Sequence, residues 1–428
     1  MISFLPNPRP VEPRLAPQYH AYLGSHPPVA DEPRTQERAT ALLADAVQWR
    51  ASDVHIEPAS EQTRIRFRID GVLHDVAEVP NFSGHRLVAY FKIQSQINAT
   101  AIATPEHGHC RMAAGGTVLE LRTTVAPTVN GEMIGIRLLD TQRPLLRLDD
   151  LGMKEEDQRH LRTWLEGMQG MLLVCGPVGT GKTSTLYALL HELQKEPRSI
   201  VTVEDPVECN LDGITQIEVH VKRGMTFPEA MRAMLRLDPD YLLVGEIRDS
   251  ESAHVAITAA GSGQTLLSTL HARDAVGAVT TLRNYGLQLW EVAAAIELCV
   301  SQRLVRRLCT KCRSGGPPGD EAAHWYGELG LPVPEQIFSS VGCDACGGTG
   351  YQGRLGIFEV WRIDAEAREM ILRGADDLQL TRHAMAQGMQ PLLSDALAKA
   401  SAGLTSFAEV RILAAEVRRT TGGLALRP

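Results

Sequence analysis

The nine residues from Gly176 to Ser184 read Gly-Pro-Val-Gly-Thr-Gly-Lys-Thr-Ser, and they constrain the fold more than any other feature of the chain. They follow an apolar run, Met171 to Cys175, and precede a helix-like stretch, Thr185 to Leu190. Backbone N–H groups of a loop between a buried strand and a helix point inward and cradle phosphate oxygens. Outside that context the motif would be a glycine-rich turn with no ligand. Here it predicts a nucleotide site.

The loop motif assigns a role to each part of this site. Glycines at 179 and 181 let the phosphates approach the backbone, Lys182 supplies a positive charge, and the Thr183 hydroxyl is a ligand for Mg²⁺. We therefore predict a nucleotide and Mg²⁺ as cofactors. The predicted binding residues are Gly176, Pro177, Val178, Gly179, Thr180, Gly181, Lys182, Thr183 and Ser184.

Size and composition are those of a globular protein of about three domains. The chain has 428 residues, of which 44% are hydrophobic and 22% charged, as in soluble proteins. Its net charge of −8 argues against direct nucleic-acid binding, because that affinity comes from a cationic surface. No apolar run approaches the roughly 18 residues of a membrane span, and no signal-peptide core is present at the start. We expect a cytoplasmic protein that docks on a membrane only through partners.

The chain divides into six predicted segments. Residues 1–34 are rich in proline and are expected to form a disordered tail. Residues 36–140 are predicted to form an α/β domain, because Ala39 to Val47 carries an apolar stripe at helical spacing and Arg64 to Leu73 alternates as a hairpin does. The other predictions are a linker at 141–152, a nucleotide-binding core at 153–300, a tetracysteine segment at 301–358 and C-terminal helices at 359–428.

Three short apolar runs after the loop, at 199–203, 241–244 and 265–270, read as strands between helices. Such alternation predicts a parallel sheet with helices on both faces. Ligands of these α/β folds bind beyond the carboxyl ends of the strands. The polar residues that follow the three runs are therefore candidate site residues.

Each run ends in groups that suit phosphoanhydride hydrolysis. Glu204 or Glu208 follows the first run and could orient the attacking water, whereas Glu246 follows the second and could reach Mg²⁺. The alternative for each acid is a solvated loop carboxylate. His271 follows the third run, where it either senses the γ-phosphate or makes a structural hydrogen bond.

Four of the eight cysteines form two C-x-x-C pairs. Each pair places two thiolates on one turn, and two pairs complete a tetrahedral S₄ site that suits Zn²⁺. A redox-active pair is the alternative, but it does not explain two copies. We predict a structural zinc site with four ligands: Cys309, Cys312, Cys343 and Cys346.

In order along the chain, these motifs resemble those of the type II secretion and type IV pilus assembly ATPases. Glu204 to Glu208 resembles the family's Asp box, Gly245 to Asp249 its Walker B motif, and Leu267 to His271 its His box. The resemblance covers about residues 36–415. Further matches lie at 50–58, 66–71, 237–240, 302–304 and 347–354.

The resemblance implies an ATP-hydrolysing homo-hexamer that powers pilus or pseudopilus assembly with an inner-membrane platform protein. It implies an α/β chain with a PAS-like N-terminal domain and a RecA-like P-loop ATPase domain, followed by a zinc-binding subdomain and C-terminal helices. The tetracysteine element is typical of extension-type rather than retraction motors. Glu204 becomes the catalytic carboxylate, Glu246 organises magnesium and water, and His271 contacts the γ-phosphate region.

The same resemblance implies that the N-terminal domain of one subunit closes over the ATP of another. A guanidinium on that domain would stabilise charge on the γ-phosphoryl oxygens. The candidate arginine fingers are Arg66, Arg68, Arg122 and Arg137. For Arg66 and Arg68 the alternative is a position on a solvated strand face.

The chain departs from the family pattern in three places. A proline-rich tail stands where relatives carry a further N-terminal domain, so the usual recruitment route is not expected. Residues 101–103, Ala-Ile-Ala, replace a charged Glu-Arg-Arg, and Gln264 replaces the first histidine of the His box. These losses suggest an alternative, a regulatory or scaffold paralogue that binds nucleotide with weak turnover. A DNA motor is disfavoured by the acidic charge.

Overall fold

The computed structural model describes residues 15–28, 34–100, 103–140, 146–167, 169–195, 197–221 and 224–421. Contacts divide these described residues into two compact units, those within 1–144 and 341–352 and those within 145–340 and 353–428. Each is described separately. Within the ranges given above, no helix is both long enough and apolar enough to cross a bilayer.

The first unit is built on a six-stranded antiparallel sheet with the order β3-β2-β1-β6-β5-β4. Its strands are β1 (Asp53–Pro58), β2 (Gln62–Ile69), β3 (Val72–Pro80), β4 (Glu106–Ala114), β5 (Thr117–Thr128) and β6 (Gly131–Asp140). Its helices are α1 (Pro17–Ser25), α2 (Thr35–Gln48) and α3 (Asn81–Gln94).

Alternation along β2 gives this sheet one apolar and one polar face. Ile65 and Phe67 are fully buried in the core shared with α2 and α3, whereas Arg66 and Arg68, which alternate with them, are partly exposed. Asp70 and Gly71 form the turn into β3, both with positive φ, as the Asp-Gly signal predicts. Strands β1 and β4 were not predicted, because neither carries a long apolar alternation.

Part of the predicted disordered tail is helical in the structure. Helix α1 begins with Pro17, which suits a first helical position because it has no N–H to satisfy. Leu15 and Tyr19 are fully buried, and the backbone N–H groups of Gln18 and Tyr19 donate to the Asp45 carboxylate at 3.1 and 2.8 Å. Burial and this cap outweigh the proline content. The rest of the predicted tail, 1–14 and 29–33, lies outside the described residues.

The second unit is built on a seven-stranded sheet with the order β15-β12-β7-β11-β10-β8-β9, and its six strands from β12 to β9 run parallel to their neighbours. The strands are β7 (Met171–Cys175), β8 (Ile200–Glu204), β9 (Thr215–Glu218), β10 (Tyr241–Ile247), β11 (Thr265–Leu270), β12 (Ile296–Leu308) and β15 (Tyr351–Arg362). A separate antiparallel pair is β13 (Ser314–Gly316) and β14 (Ile337–Ser339).

Eleven helices belong to this part of the chain as described. They are α4 (Glu155–Gly167), α5 (Lys182–Leu193), α6 (Phe227–Met234), α7 (Ser250–Gly261), α8 (Gly277–Asn284), α9 (Leu289–Ala295), α10 (Asp320–Glu328), α11 (Ala365–Leu372), α12 (Asp377–Ala386), α13 (Leu392–Ser401) and α14 (Phe407–Thr421). The last four agree with the C-terminal helices predicted from apolar spacing.

Both faces of the parallel sheet are covered, which explains why its strands read as continuous apolar runs. Along β7, Leu172 and Val174 join one buried cluster with α4 and α5. Met171, Leu173 and Cys175 join the opposite cluster with α6 to α9. The mixed α/β class predicted from the sequence is confirmed.

The predicted segments 141–152 and 301–358 do not match separate units. Residues 141–145 of the expected linker lie outside the described residues, and Leu148–Leu151 form a short 3₁₀ helix packed in the second unit. Residues 301–340 belong to the second unit by their contacts. Strand β12 explains this, because it continues from the core sheet as far as Leu308.

Candidate active site

The phosphate loop connects the carboxyl end of β7 to the amino end of α5. Its first N–H, of Gly176, donates to the carbonyl of Leu270 on neighbouring β11 at 3.2 Å. Helix α5 begins at Lys182 after Gly181, and no side chain of the described residues caps it. Because the first N–H groups of a helix lack intrahelical partners, this end can receive an anion.

Glycines in the loop are required for two different reasons. At Gly179 φ is +82°, which favours glycine, although the space beside it is open. A Cβ on Gly176 would approach the carbonyl oxygen of Gln302 to 2.7 Å, so close packing on β12 also excludes a side chain there. Gly181 combines both reasons, with φ of +85° and Gln302 Nε2 at 3.0 Å from its notional Cβ.

Lys182 lies over the loop that it is predicted to serve. Its Nζ donates to the carbonyl oxygens of Gly176 and Pro177 at 2.8 and 3.0 Å. Burial, with a smaller effect from the nearby Arg303 charge, lowers the pKa of Lys182 to about 8. The ammonium is therefore mostly charged at pH 7 but sits in an environment that favours its neutral form. An anion in the loop would relieve that penalty.

Glu246 and His271 meet at adjacent strand ends, as predicted from the parallel sheet. His271 Nε2 lies 3.4 Å from Glu246 Oε2, and Arg248 also contacts the Glu246 carboxylate. Burial lowers the pKa of His271, and the charges of Lys182 and Arg248 act in the same direction. The imidazole is therefore neutral at pH 7. Glu246, Arg248 and His271 thus form one cluster of contacting side chains.

Glu204 is buried and accepts three hydrogen bonds from protein side chains. Its side chain accepts hydrogen bonds from Tyr187 at 2.5 Å, Thr202 at 2.6 Å and Gln216 at 3.1 Å, and the residue is only 4% exposed. Glu246, by contrast, has a side chain 21% exposed. Of the two predicted carboxylates, Glu246 is the more accessible to a ligand.

Several residues that support the site were not predicted from the sequence. Gln302 and Arg303 on β12 lie behind the loop, where Gln302 accepts from Thr185 Oγ1 at 2.6 Å and Arg303 donates to the backbone carbonyl of Arg273 at 2.7 Å. The Gln-Arg-Leu match at 302–304 was the only signal for them. Asp249, in the Walker B-like motif, caps α7 by accepting from Ser252 N at 2.8 Å, which accounts for it structurally.

The four candidate arginine fingers lie on the polar face of the first unit, and three of them are ion-paired there. Arg66 Nη2 donates to Glu57 at 2.5 and 2.6 Å. Arg68 and Arg137 approach Asp53 to 3.6 and 3.1 Å. Arg122 stands opposite Arg137 in the register of β5 and β6, and no carboxylate of the described residues pairs with it.

The four predicted cysteine ligands converge. All four sulfur atoms lie within 4.8 Å of one another, and Cys343 Sγ is 3.8 Å from Cys346 Sγ. Tetrahedral coordination with Zn–S bonds of about 2.3 Å places sulfurs about 3.8 Å apart. The backbone N–H groups of Cys343 and Gly350 point to Cys346 Sγ at 3.2 Å, as donors to a metal-bound thiolate do. The donor set fits Zn²⁺.

Two of the departures from the family pattern can be placed. Gln264 precedes the amino end of β11, whereas His271 follows its carboxyl end. A six-residue strand spans roughly 20 Å, so Gln264 is far from the phosphate loop. Of residues 101–103, the first two lie outside the described part of the chain, and Ala103 is exposed.

Comparisons with known proteins identify what the chain is similar to. Residues 30–412 match the family model described as type II/IV secretion system protein. The type IV pilus assembly ATPase PilB of Acinetobacter baylyi is 38% identical over 393 residues, which cover 90% of this chain and 67% of PilB. The type II secretion system protein HxcR of Pseudomonas aeruginosa is 39% identical over 390 residues, or 90% and 79% of the two chains.

Among solved structures, the Legionella pneumophila ATPase DotB has a similar fold. The match has a TM-score of 0.66 and covers 91% of this chain and 97% of DotB, at 19% sequence identity. At that identity the likeness concerns the fold alone, and it agrees with the P-loop ATPase architecture of the second unit.

Proposed function

Because the chain belongs to the type II/IV secretion system protein family, we propose that it is the ATP-hydrolysing motor of a type IV pilus or type II secretion machine. The relatives at 38–39% identity include a pilus assembly ATPase and a type II secretion protein. One observation carries the proposal: the phosphate loop, Glu246 and His271 occupy adjoining strand ends of one parallel sheet.

The phosphate loop and α5 bind ATP in this proposal. The free N–H groups of the helix start donate to the phosphate oxygens, and Lys182 leaves the loop carbonyls to pair with the phosphates. Mg²⁺, when bound with ATP, neutralises charge on the β- and γ-phosphates, and the Thr183 hydroxyl would hold it.

Glu246 and Glu204 are the two carboxylates that act on the attacking water in this proposal. Glu246 faces the accessible side and orients the water network, while neutral His271 beside it hydrogen-bonds the γ-phosphate region. Glu204 is the second carboxylate, with a fixed orientation set by its three donors. Each group is held by a strand end of the rigid sheet, which limits its movement during turnover.

We further propose a homo-hexamer in which Arg122 of one subunit completes the site of another. Of the four candidates, Arg122 is the one whose guanidinium is not committed to a carboxylate within the described residues. A guanidinium already paired must break that pair before it can stabilise phosphoryl charge. Arg66, Arg68 and Arg137 then maintain the polar face on which Arg122 stands.

The motor acts in the cytoplasm and meets the inner membrane through a platform protein. Support for this part of the proposal comes from the family and from a relative named for secretion and for pilus assembly. Zinc is proposed as a structural ion held by the two C-x-x-C pairs, and the convergence of the four sulfurs to within 4.8 Å of one another supports this proposal.

Subunit mixing tests the proposed motor and its shared site. Lys182→Ala subunits lack a working phosphate loop but keep Arg122, and Arg122→Ala subunits have the reverse defect. If Arg122 acts across subunits, mixing the two inactive variants restores part of the magnesium-dependent ATPase, while native mass spectrometry shows mixed hexamers. Arg64→Ala, which removes another guanidinium of the same face, near Asp75 and Glu78, is the matched control and should keep wild-type turnover without mixing. Hexamers with no recovered turnover would contradict the shared site.

A regulatory paralogue with weak turnover has less support from the structure than from the sequence. Its argument rests partly on Gln264, which lies at the opposite end of β11 from His271. Glutamine instead of histidine at position 264 therefore does not alter the carboxyl ends of the strands, where the phosphate loop lies.

A further inference from the structure

The Tyr187 side chain contacts the candidate carboxylate Glu204 from the helix that follows the phosphate loop. Its hydroxyl donates to Glu204 Oε2 at 2.5 Å. Tyr187 lies in α5, five residues after Lys182, and Glu204 ends β8. Each residue is only 4% exposed, so bulk water competes little for this hydrogen bond. The contact connects the phosphate-binding helix to a strand end two strands away from β11.

The direction of the Tyr187 hydrogen bond is fixed by a second contact. The backbone N–H of Glu208 donates to the Tyr187 oxygen at 3.3 Å, which leaves the phenolic proton for Glu204. Burial, together with the hydrogen bond to Glu204, raises the pKa of Tyr187 well above its ordinary value. The hydroxyl therefore stays protonated, and remains a donor, across the pH range in which the protein works.

Two other donors occupy the opposite oxygen of the carboxylate. Thr202 Oγ1 lies 2.6 Å and Gln216 Nε2 3.1 Å from Glu204 Oε1. An ionised carboxylate offers about four acceptor positions on its two oxygens, and three are now filled. Among the donors of the described residues, none occupies the fourth position, which is on Oε2, the oxygen that Tyr187 binds. Tyr187 therefore constrains the position at which Glu204 can accept a hydrogen bond from a water molecule.

We propose that Tyr187 is a positioning residue for ATP hydrolysis and acts through Glu204, an inference that rests on the proposed ATPase function. A donor to a carboxylate oxygen holds the carboxylate in one orientation. Without the hydroxyl, Glu204 stays buried with one donor fewer, and its free oxygen loses a fixed direction.

Tyr187→Phe tests this role, because the ring and its packing remain. Tyr241→Phe is the matched control: Tyr241 is 1% exposed in the same unit, and its hydroxyl donates at 2.5 Å to the Leu165 carbonyl rather than to a carboxylate. We expect kcat of Tyr187→Phe to fall about tenfold or more, with KM for ATP within about twofold. Tyr241→Phe should follow the wild type in both constants. A kcat of Tyr187→Phe within about twofold of the wild-type value overturns the proposal.

A second replacement guards against misfolding of the phenylalanine variant. Difluorotyrosine at position 187 keeps the hydroxyl as a donor to Glu204, so kcat should stay near the wild-type value. A loss of kcat as large as that of Tyr187→Phe counts against the proposal.

A double mutant shows whether Tyr187 acts through Glu204. In a Glu204→Gln background, Tyr187→Phe should not change the single-turnover rate of hydrolysis measured with enzyme in excess. If the rate losses of the two single mutants multiply in the double mutant, the two residues act independently. Failure of this inference can be told from failure of the proposed function. A wild type that hydrolyses ATP, with Tyr187→Phe indistinguishable from Tyr241→Phe, overturns only the role of Tyr187. A wild type without hydrolysis overturns both.

Discussion

Glu246 Oε2 and His271 Nε2 lie 3.4 Å apart at the carboxyl ends of β10 and β11. Strand β11 separates β10 from β7, which leads into the phosphate loop. The pair is therefore held by the same rigid sheet that positions Lys182. This geometry makes Glu246 the accessible carboxylate of the site.

Glu246→Gln should lower kcat by about 100-fold or more while ATP still binds. The substitution keeps the shape but removes the negative charge that orients water, and general-base contributions have about that size. Steady-state hydrolysis and binding of a fluorescent ATP analogue measure the two effects. Glu251→Gln is the control, since its side chain is 58% exposed and pairs with Arg232. A kcat of Glu246→Gln within threefold of the wild type would rule out this role.

ATP affinity should weaken above pH 8. The pKa of Lys182 is lowered to about 8 in the free protein, and phosphate binding requires the charged ammonium. Below pH 8 that charge is already present, so Kd is flat. Above pH 8 binding must take up a proton, so Kd rises by up to tenfold per pH unit until the ordinary lysine range is reached. Calorimetry in buffers of different ionisation enthalpy measures the uptake. An unchanged Kd from pH 7 to 9.5, with no proton uptake, would exclude this linkage.

Gln264→His should leave ATP turnover within about twofold of the wild type. The residue precedes the amino end of β11, roughly 20 Å of strand away from His271. Parallel measurements on His271→Asn should show a large loss of kcat. If Gln264→His instead raises turnover about tenfold, glutamine in place of the family's histidine suppresses activity in this chain, as a regulatory paralogue would require.

Much of this site follows from local sequence. The apolar run of β7, the loop glycines and the start of α5 are consecutive, and the polar residues after β8, β10 and β11 share one edge because parallel strands end together. The sequence thus predicted that Glu204, Glu246 and His271 would lie along the same edge of the sheet.

The hydrogen bonds around Glu204 could not be read from the sequence. Tyr187 occupies an apolar-looking position of α5, and Gln216 lies on β9, twelve residues after Glu204; their convergence depends on how the helix packs on the sheet. Helix α1 was missed for a similar reason, because proline content hid the burial of Leu15 and Tyr19 and the contact with Asp45.

Cys309→Ser should remove bound zinc and lower the melting temperature by roughly 5 °C or more, because one kcal/mol corresponds to about 2–4 °C in a domain of this size. Elemental analysis and thermal unfolding of the same samples measure both quantities. Cys209→Ser is the control, since that thiol lies outside the tetracysteine cluster and contacts the Asn210 carbonyl. Wild-type protein that contains no zinc and unfolds at the same temperature with and without a chelator would refute a structural zinc site.

Magnesium-dependent ATP hydrolysis by the wild type and by two lysine variants is the most direct measurement. Lys182 is 9% exposed and donates to the loop carbonyls, whereas Lys195 has a side chain 53% exposed and pairs with Glu192. We predict hydrolysis by the wild type and by Lys195→Ala at equal rates, and a loss of at least 100-fold in Lys182→Ala. Wild-type hydrolysis that survives Lys182→Ala would contradict the assignment of the active site to this loop.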